Sequence, residues 1–247
     1  MVDIDLERCS NAISSWNSVL DIATYSDHVT VWLDAYIGNP KDYHTLKDKF
    51  GTNIQPLITL NQNEKELDEY PVNYENPETL KKLKDTVYCL KAFFEVDKCL
   101  EFINSNQDKK IFSISSGTMG KQIVPKIAEL SQIHGIYIFC GYISAHTQWA
   151  MDYVNNISAM LEHQDDLLIR LTKDIAKYLE EKGDQYAQKS DERTRAKNCY
   201  TWAMKLILRT KELKGTNYQK PMNILKKKFD KLEEKRFVPS EDQMEQE

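Results

Sequence analysis

The chain has 247 residues, of which 41% are hydrophobic and 29% are charged, as is typical of a globular domain with an extension. The formal net charge of -5 argues against a dedicated nucleic-acid binder, and no apolar run approaches the ~18 residues needed to span a bilayer. Five cysteines are scattered without a CxxC pair, which predicts reduced thiols and a cytoplasmic location.

The first third of the chain is predicted to contain one strand between less regular segments. Residues 1–28 are expected to form an N-terminal helical arm, because their apolar residues recur on one helical face. Val29–Leu33 is a β-branched and aromatic run that predicts a buried strand. Residues 38–77 include a polar, Asn-rich and acidic stretch, which we interpret as an insertion or long surface loop. A helix is expected from Pro77 to about Tyr88.

Four more predicted strands alternate with amphipathic helices along the middle of the chain. These strands are Cys89–Phe94, Ile111–Ile114, Gly135–Cys140 and Asn156–Leu161. The helices between them are Val96–Asn104, the helix after the third strand, and Ser144–Tyr153. The alternation predicts a receiver-like α/β domain over residues 29–163, built on a five-stranded, doubly wound parallel sheet. The flavodoxin-like strand order is expected.

The C-terminal part of the chain is predicted to be helical. Residues 164–237 have the apolar spacing of three long amphipathic helices, and residues 238–247 read as a disordered acidic tail. We expect other proteins to bind this helical extension through an apolar stripe on its second helix, which contains Tyr200, Trp202 and Leu206. The alternative is that this stripe packs into the core.

A small-residue corner, SSGTMG, follows the central strand, at the edge where open α/β sheets bind ligands. It fails the Walker A pattern, because Ser115 replaces the first glycine and Gln122 replaces the magnesium-binding hydroxyl. It also fails the GxGxxG dinucleotide pattern. Backbone amides at the start of the next helix could still bind an anion or a nucleotide; the alternative is a tight turn that needs glycine. The predicted ligand-binding residues are Ser115, Ser116, Gly117, Thr118, Gly120 and Lys121.

Three residues are candidates for catalysis near this corner. Asp34 ends the first strand and His146 begins the helix after the fourth, so both could face the ligand edge. Glu129 lies on the helix after the corner. The alternatives are a loop cap for Asp34 and solvated surface positions for Glu129 and His146. A GxSxG motif and metal-binding His spacing are absent, so we expect no metal and no cofactor apart from a bound nucleotide.

A family resemblance extends from Val29 to about Arg209. The residues that carry it are Val31–Asp34, Phe93–Ile103, Ser115–Gly120 with Ile123–Pro125, Ile136–Cys140, Gln148–Ala150 and Thr201–Arg209. In these the chain resembles a poorly characterised receiver-like or TIR-like domain of invertebrate multidomain proteins. That domain often lies upstream of an arginine-specific ADP-ribosyltransferase domain and tetratricopeptide repeats. The resemblance implies an α/β fold but assigns no catalytic residues.

The chain departs from these patterns in ways that bear on activity. The stretch 47–79 looks inserted, and we expect no transferase domain to follow, so the resemblance does not imply ADP-ribosyltransferase activity. A receiver needs a phosphoacceptor aspartate at the end of its third strand, where this chain has Ser115 and Ser116.

These observations lead to a first hypothesis of a non-catalytic protein-interaction or assembly module with a signalling or scaffold role. The second hypothesis is a TIR-like nucleotide-binding or NAD-cleaving enzyme that uses the corner at Ser115–Lys121. It rests on fold likeness alone. A third hypothesis is a nucleic-acid-associated protein that uses the helix Lys226–Arg236.

Overall fold

The computed structural model describes residues 27–36, 90–213 and 218–234. Within them, five parallel strands form one sheet in the order β2-β1-β3-β4-β5. The strands are β1 His28–Leu33, β2 Leu90–Phe93, β3 Lys110–Ser116, β4 Ile133–Phe139 and β5 Ile157–Leu161. All five predicted strands and the flavodoxin-like order are therefore confirmed. The predictions for the N-terminal arm before residue 27, for the insertion and helix between 38 and 88, and for the tail after 237 lie outside the described residues.

Two helices cover one face of the sheet. They are α1 Val96–Ser105 and α2 Gly117–Ile127. Side chains alternate between the two faces of a strand, and the odd-numbered residues of β1, such as Val31, pack here with apolar residues of β3 and of both helices. This layer belongs to the predicted receiver-like domain.

The C-terminal helices cover the opposite face. They are α4 Gln164–Ala187, α5 Arg193–Arg209 and α6 Gln219–Glu234. Trp32, Phe112 and Tyr137 project from the sheet into one core cluster shared with all three helices. The Tyr137 hydroxyl also donates a 2.7 Å hydrogen bond to Asp174 on α4. The helical extension is thus a layer of the same core as the sheet.

This packing corrects the predicted partner surface. Tyr200, Trp202 and Leu206 are 2%, 0% and 0% exposed, and the Tyr200 hydroxyl donates to Asp184 at 2.8 Å. The apolar stripe is buried because it fills the core between neighbouring helices, as the alternative interpretation held. It does not present a free surface to another protein.

The connection between β4 and β5 also differs from the prediction of one helix over Ser144–Tyr153. It consists of two 3₁₀ turns, Ile143–Ala145 and Met151–Tyr153, on either side of the short helix α3 Thr147–Ala150. The backbone of His146, at φ -113° and ψ -6°, lies in the bridge region between the first turn and α3. This break in helical geometry fixes where His146 lies relative to the sheet.

Candidate functional site

The corner between β3 and α2 begins the candidate site. Ser115 is 1% exposed at the end of the strand, and Ser116 is the N-cap residue of α2 with extended backbone angles. The Ser116 side chain makes no capping hydrogen bond, and the first turn of α2 contains no acidic residue. Thr118 and Lys121 are exposed on the same helix. The positive end of α2 is therefore left without a carboxylate or hydroxyl cap from its own residues.

Asp34 lies beside this corner. Leu33 is in register with Ser115, so the next residue along β1 is brought next to Ser116. Asp34 is 4% exposed, and its carboxylate accepts a 2.8 Å hydrogen bond from the backbone amide of Tyr36. One carboxylate oxygen of Asp34 thus caps the loop after β1, which is the alternative to a catalytic role.

His146 and Trp149 close over the two glycines of α2. A Cβ atom on Gly117 would lie 2.2 Å from His146 Nε2, and one on Gly120 would lie 3.2 Å from the Trp149 ring. Trp149 Nε1 donates a long hydrogen bond of 3.4 Å to His146 Nδ1. Because indole can only donate, Nδ1 must be unprotonated in this arrangement, and Nε2 carries the proton. The glycines are needed here for close packing, and His146 does reach the corner.

Glu129 is separated from this group of residues. Its carboxylate accepts from Asn156 Nδ2 at 3.4 Å, and Asn156 directly precedes β5. That places Glu129 at the amino edge of the sheet, whereas the corner lies at the carboxyl edge. The 11 residues of α2 lie between the two edges, a length of about 16 Å. Glu129 is therefore wrong as a partner of Asp34, Ser116 and His146 in one active site.

Exposed aromatic side chains line the same carboxyl edge. Tyr36, Phe94 and Tyr142 follow β1, β2 and β4, and they are 66%, 57% and 67% exposed. Sequence reasoning missed all three. The sequence signal that could have identified them is an aromatic residue within three positions of the end of a strand, where the chain leaves the core.

A second cluster of titratable groups lies at the opposite, amino edge. The carboxylate of Asp27 accepts from Tyr178 at 2.5 Å, lies 2.6 Å from Lys182 Nζ, and contacts His28 at 3.2 Å. Burial raises the pKa of Asp27, but the His28 hydrogen bond and the Lys182 charge outweigh it and lower the pKa to about 2. Burial and the bond to Asp27 raise the pKa of Tyr178. These contacts join α4 to β1, so the cluster is a structural link.

Neither a metal site nor a membrane span is found in the part of the chain that the structure describes. No three His, Cys, Asp or Glu side chains there could hold a metal ion together. None of the described helices combines the length and the apolar character needed to cross a membrane. In comparisons with known proteins, no protein-family model, curated protein or solved structure matches the chain.

Proposed function

We propose that the protein is a non-catalytic interaction or assembly module, with a signalling or scaffold role in the cytoplasm, and that it binds other proteins through the carboxyl edge of its sheet. The observation that carries this proposal is the row of exposed aromatic side chains at Tyr36, Phe94 and Tyr142. Three strand ends place them on one edge. Aromatic residues are enriched in protein interfaces, since their rings bury a large area with little loss of conformational entropy.

The C-terminal helices offer little exposed apolar surface of their own, which supports the choice of the carboxyl edge. Their apolar residues are used to cover the sheet, and the large hydrophobic residue they leave exposed is Ile224, at 42%. Grouped exposed apolar residues indicate interaction sites more strongly than single ones. The edge of the sheet is therefore the better candidate for partner binding.

A comparison of three proteins tests the proposal. Tagged wild type, the double variant Tyr36→Ala/Tyr142→Ala and the control Val154→Ala are each used to recover partners from cells. Val154 is a good control because it is 58% exposed but lies toward the amino-edge end of the β4–β5 connection. We expect wild type and control to recover the same proteins and the double variant to lose them. Recovery of the same proteins by the double variant would show that the edge is not the binding surface.

The second candidate function is nucleotide binding at the corner of Ser115 to Lys121. It is favoured by the meeting of Asp34, Ser116 and His146 around the uncapped start of α2. The uncapped first turn of α2, with Lys121 on the same helix, suits a phosphate group, and the neighbouring aromatic rings suit a base. TIR-like cleavage of NAD would place chemistry at the same edge.

Ligand stabilisation distinguishes the two functions. Purified protein is incubated with NAD and a panel of nucleotides, and both the unfolding midpoint and any product are recorded. A ligand at 100 times its Kd should stabilise the fold by about 2.7 kcal/mol. Lys121→Ala should reduce this stabilisation, whereas the distant Glu129→Gln should not. If wild type shows neither stabilisation nor product, nucleotide binding is refuted.

A further inference from the structure

We propose that the partner of the carboxyl edge is the basic outer stripe of α6 on a second copy of the chain, so that copies associate head to tail. The inference rests on the proposed function and names the partner of the same surface. It is carried by the complementary charge and matching exposed apolar residues of two separate surfaces on one molecule.

The first of these surfaces is the outer stripe of α6. The inward side of this helix is fully used, since Met222, Leu225, Phe229 and Leu232 are buried against the core. The stripe that faces outward consists of Lys220, Ile224, Lys227 and Lys231, all exposed, with Glu234 at its end. Their spacing of four, three and four residues places them on one side of an α-helix. The stripe therefore presents three ammonium groups around one isoleucine.

The neighbouring Lys228 shows that these lysines are not all equivalent. It points inward and pairs with Glu180 and Asp184, each at 2.6 Å. Burial lowers the pKa of Lys228, but these two carboxylates outweigh it and raise the pKa overall. Its charge is used within the helical layer. The cations of the outer stripe face solvent instead and are positioned for an external partner.

The second surface is the carboxyl edge, whose described residues are acidic as well as aromatic. In the described parts of the loops and first helical turns that follow the strands, carboxylates outnumber lysines. The acidic residues are Glu95, Asp97, Glu162, Asp165 and Asp166, and the basic ones are Lys98 and Lys121. The side chain of Asp97 is 93% exposed, with Lys126 at 3.9 Å, and Lys98 pairs with Glu101. Acidic groups around exposed tyrosines complement a helix that carries lysines around an isoleucine.

The two surfaces lie on different parts of the molecule. One is an edge of the sheet, and the other is the outer side of the helical layer that covers a sheet face. A contact between them is heterologous, so each copy keeps one unused surface and further copies can add. Its electrostatic part weakens as salt screens the charges.

Sedimentation velocity of the full chain over a concentration series at low salt tests the inference. Wild type should form species larger than a dimer, and salt should dissociate them. The stripe variant Lys227→Glu/Lys231→Glu and the edge variant Tyr36→Ala/Tyr142→Ala should each weaken association roughly tenfold or more. The single substitution Lys177→Glu reverses one lysine charge outside the stripe, at an exposed position of α4, and should associate like wild type.

Mixing the variants gives the sharper result. The stripe variant keeps an intact edge, and the edge variant keeps an intact stripe, so an equimolar mixture should form heterodimers and nothing longer. A monomeric wild type, assembly of either variant alone, or a mixture that stays monomeric would overturn the inference. If wild type is monomeric but Tyr36→Ala/Tyr142→Ala still abolishes recovery of cellular partners, the interaction function stands and self-association falls. If neither effect is seen, both fall.

Discussion

The link between Asp27 and α4 gives the most quantitative prediction. Asp27→Asn removes a carboxylate that accepts from Tyr178 and faces Lys182, whose side chain is 9% exposed, at 2.6 Å. An ammonium group at such a site depends strongly on its counter-charge. We therefore expect the substitution to destabilise the packing of α4 on the amino end of β1.

The magnitude follows from the pKa of Asp27, which folding lowers from 3.8 to about 2. At about 1.4 kcal/mol per pH unit, this corresponds to about 2 kcal/mol of folding free energy. Solvent reaches 31% of the Asp27 side chain, so screening brings the expected loss to about 1 to 2 kcal/mol. Because the folded pKa is depressed, the stabilisation is complete above about pH 4 and is lost as the pH falls toward 2.

Urea unfolding of wild type and Asp27→Asn near pH 7 and near pH 2 measures this effect. The two proteins should differ by about 1 to 2 kcal/mol near pH 7 and converge near pH 2. Asp27→Asn/Lys182→Met should be more stable than Asp27→Asn, because it no longer holds an ammonium group beside a neutral amide. A difference that stays constant between the two pH values would refute the assignment of the stabilisation to the charge of Asp27.

Two further predictions concern packing. Gly117→Ala should destabilise the fold by about 1 to 3 kcal/mol, because the new Cβ would lie 2.2 Å from His146 Nε2. Adding His146→Ala should recover much of this loss. Equal stability of Gly117→Ala and wild type in thermal unfolding would contradict the close contact. Trp202→Ala should cost about 3 to 5 kcal/mol, because the side chain is 0% exposed, whereas Met151→Ala, at 60% exposure, should change stability by less than about 0.5 kcal/mol. Trp202→Ala within 1 kcal/mol of wild type would show that the indole is not in the core.

The fold could be predicted because its signals are local and repeated. Runs such as the one ending at Leu33 combine β-branched and aromatic residues at strand length, and crossover helices between them require parallel strands. The break at His146 was missed because the surrounding residues have no proline or other strong helix breaker. The backbone conformation of His146 is set instead by its side-chain contacts with Gly117 and Trp149. Gly117 is distant in sequence, and Trp149 has no strong helix preference, so neither contact is visible in the local pattern.

The candidate site was only partly predictable. The meeting of Asp34 with Ser116 follows from strand order, because neighbouring parallel strands end at one edge. The position of Glu129 could not be obtained in this way, since it depends on how far α2 runs before it ends. The burial of Trp202 depended on which surface the helical extension would cover, and an amphipathic pattern alone does not identify its partner.

The surface that the C-terminal helices cover also limits which described residues can contact other molecules. Trp32, Phe112 and Tyr137 leave the sheet on the face that α4, α5 and α6 cover. A sheet stripped of these helices would expose large aromatic side chains to water, at a cost of about 25 cal/mol for each Å² of apolar surface. The helices therefore cannot leave the sheet to bind a partner with the same residues. If the protein binds a partner as proposed, the contact uses surfaces outside this core, such as Tyr36 and the carboxyl edge.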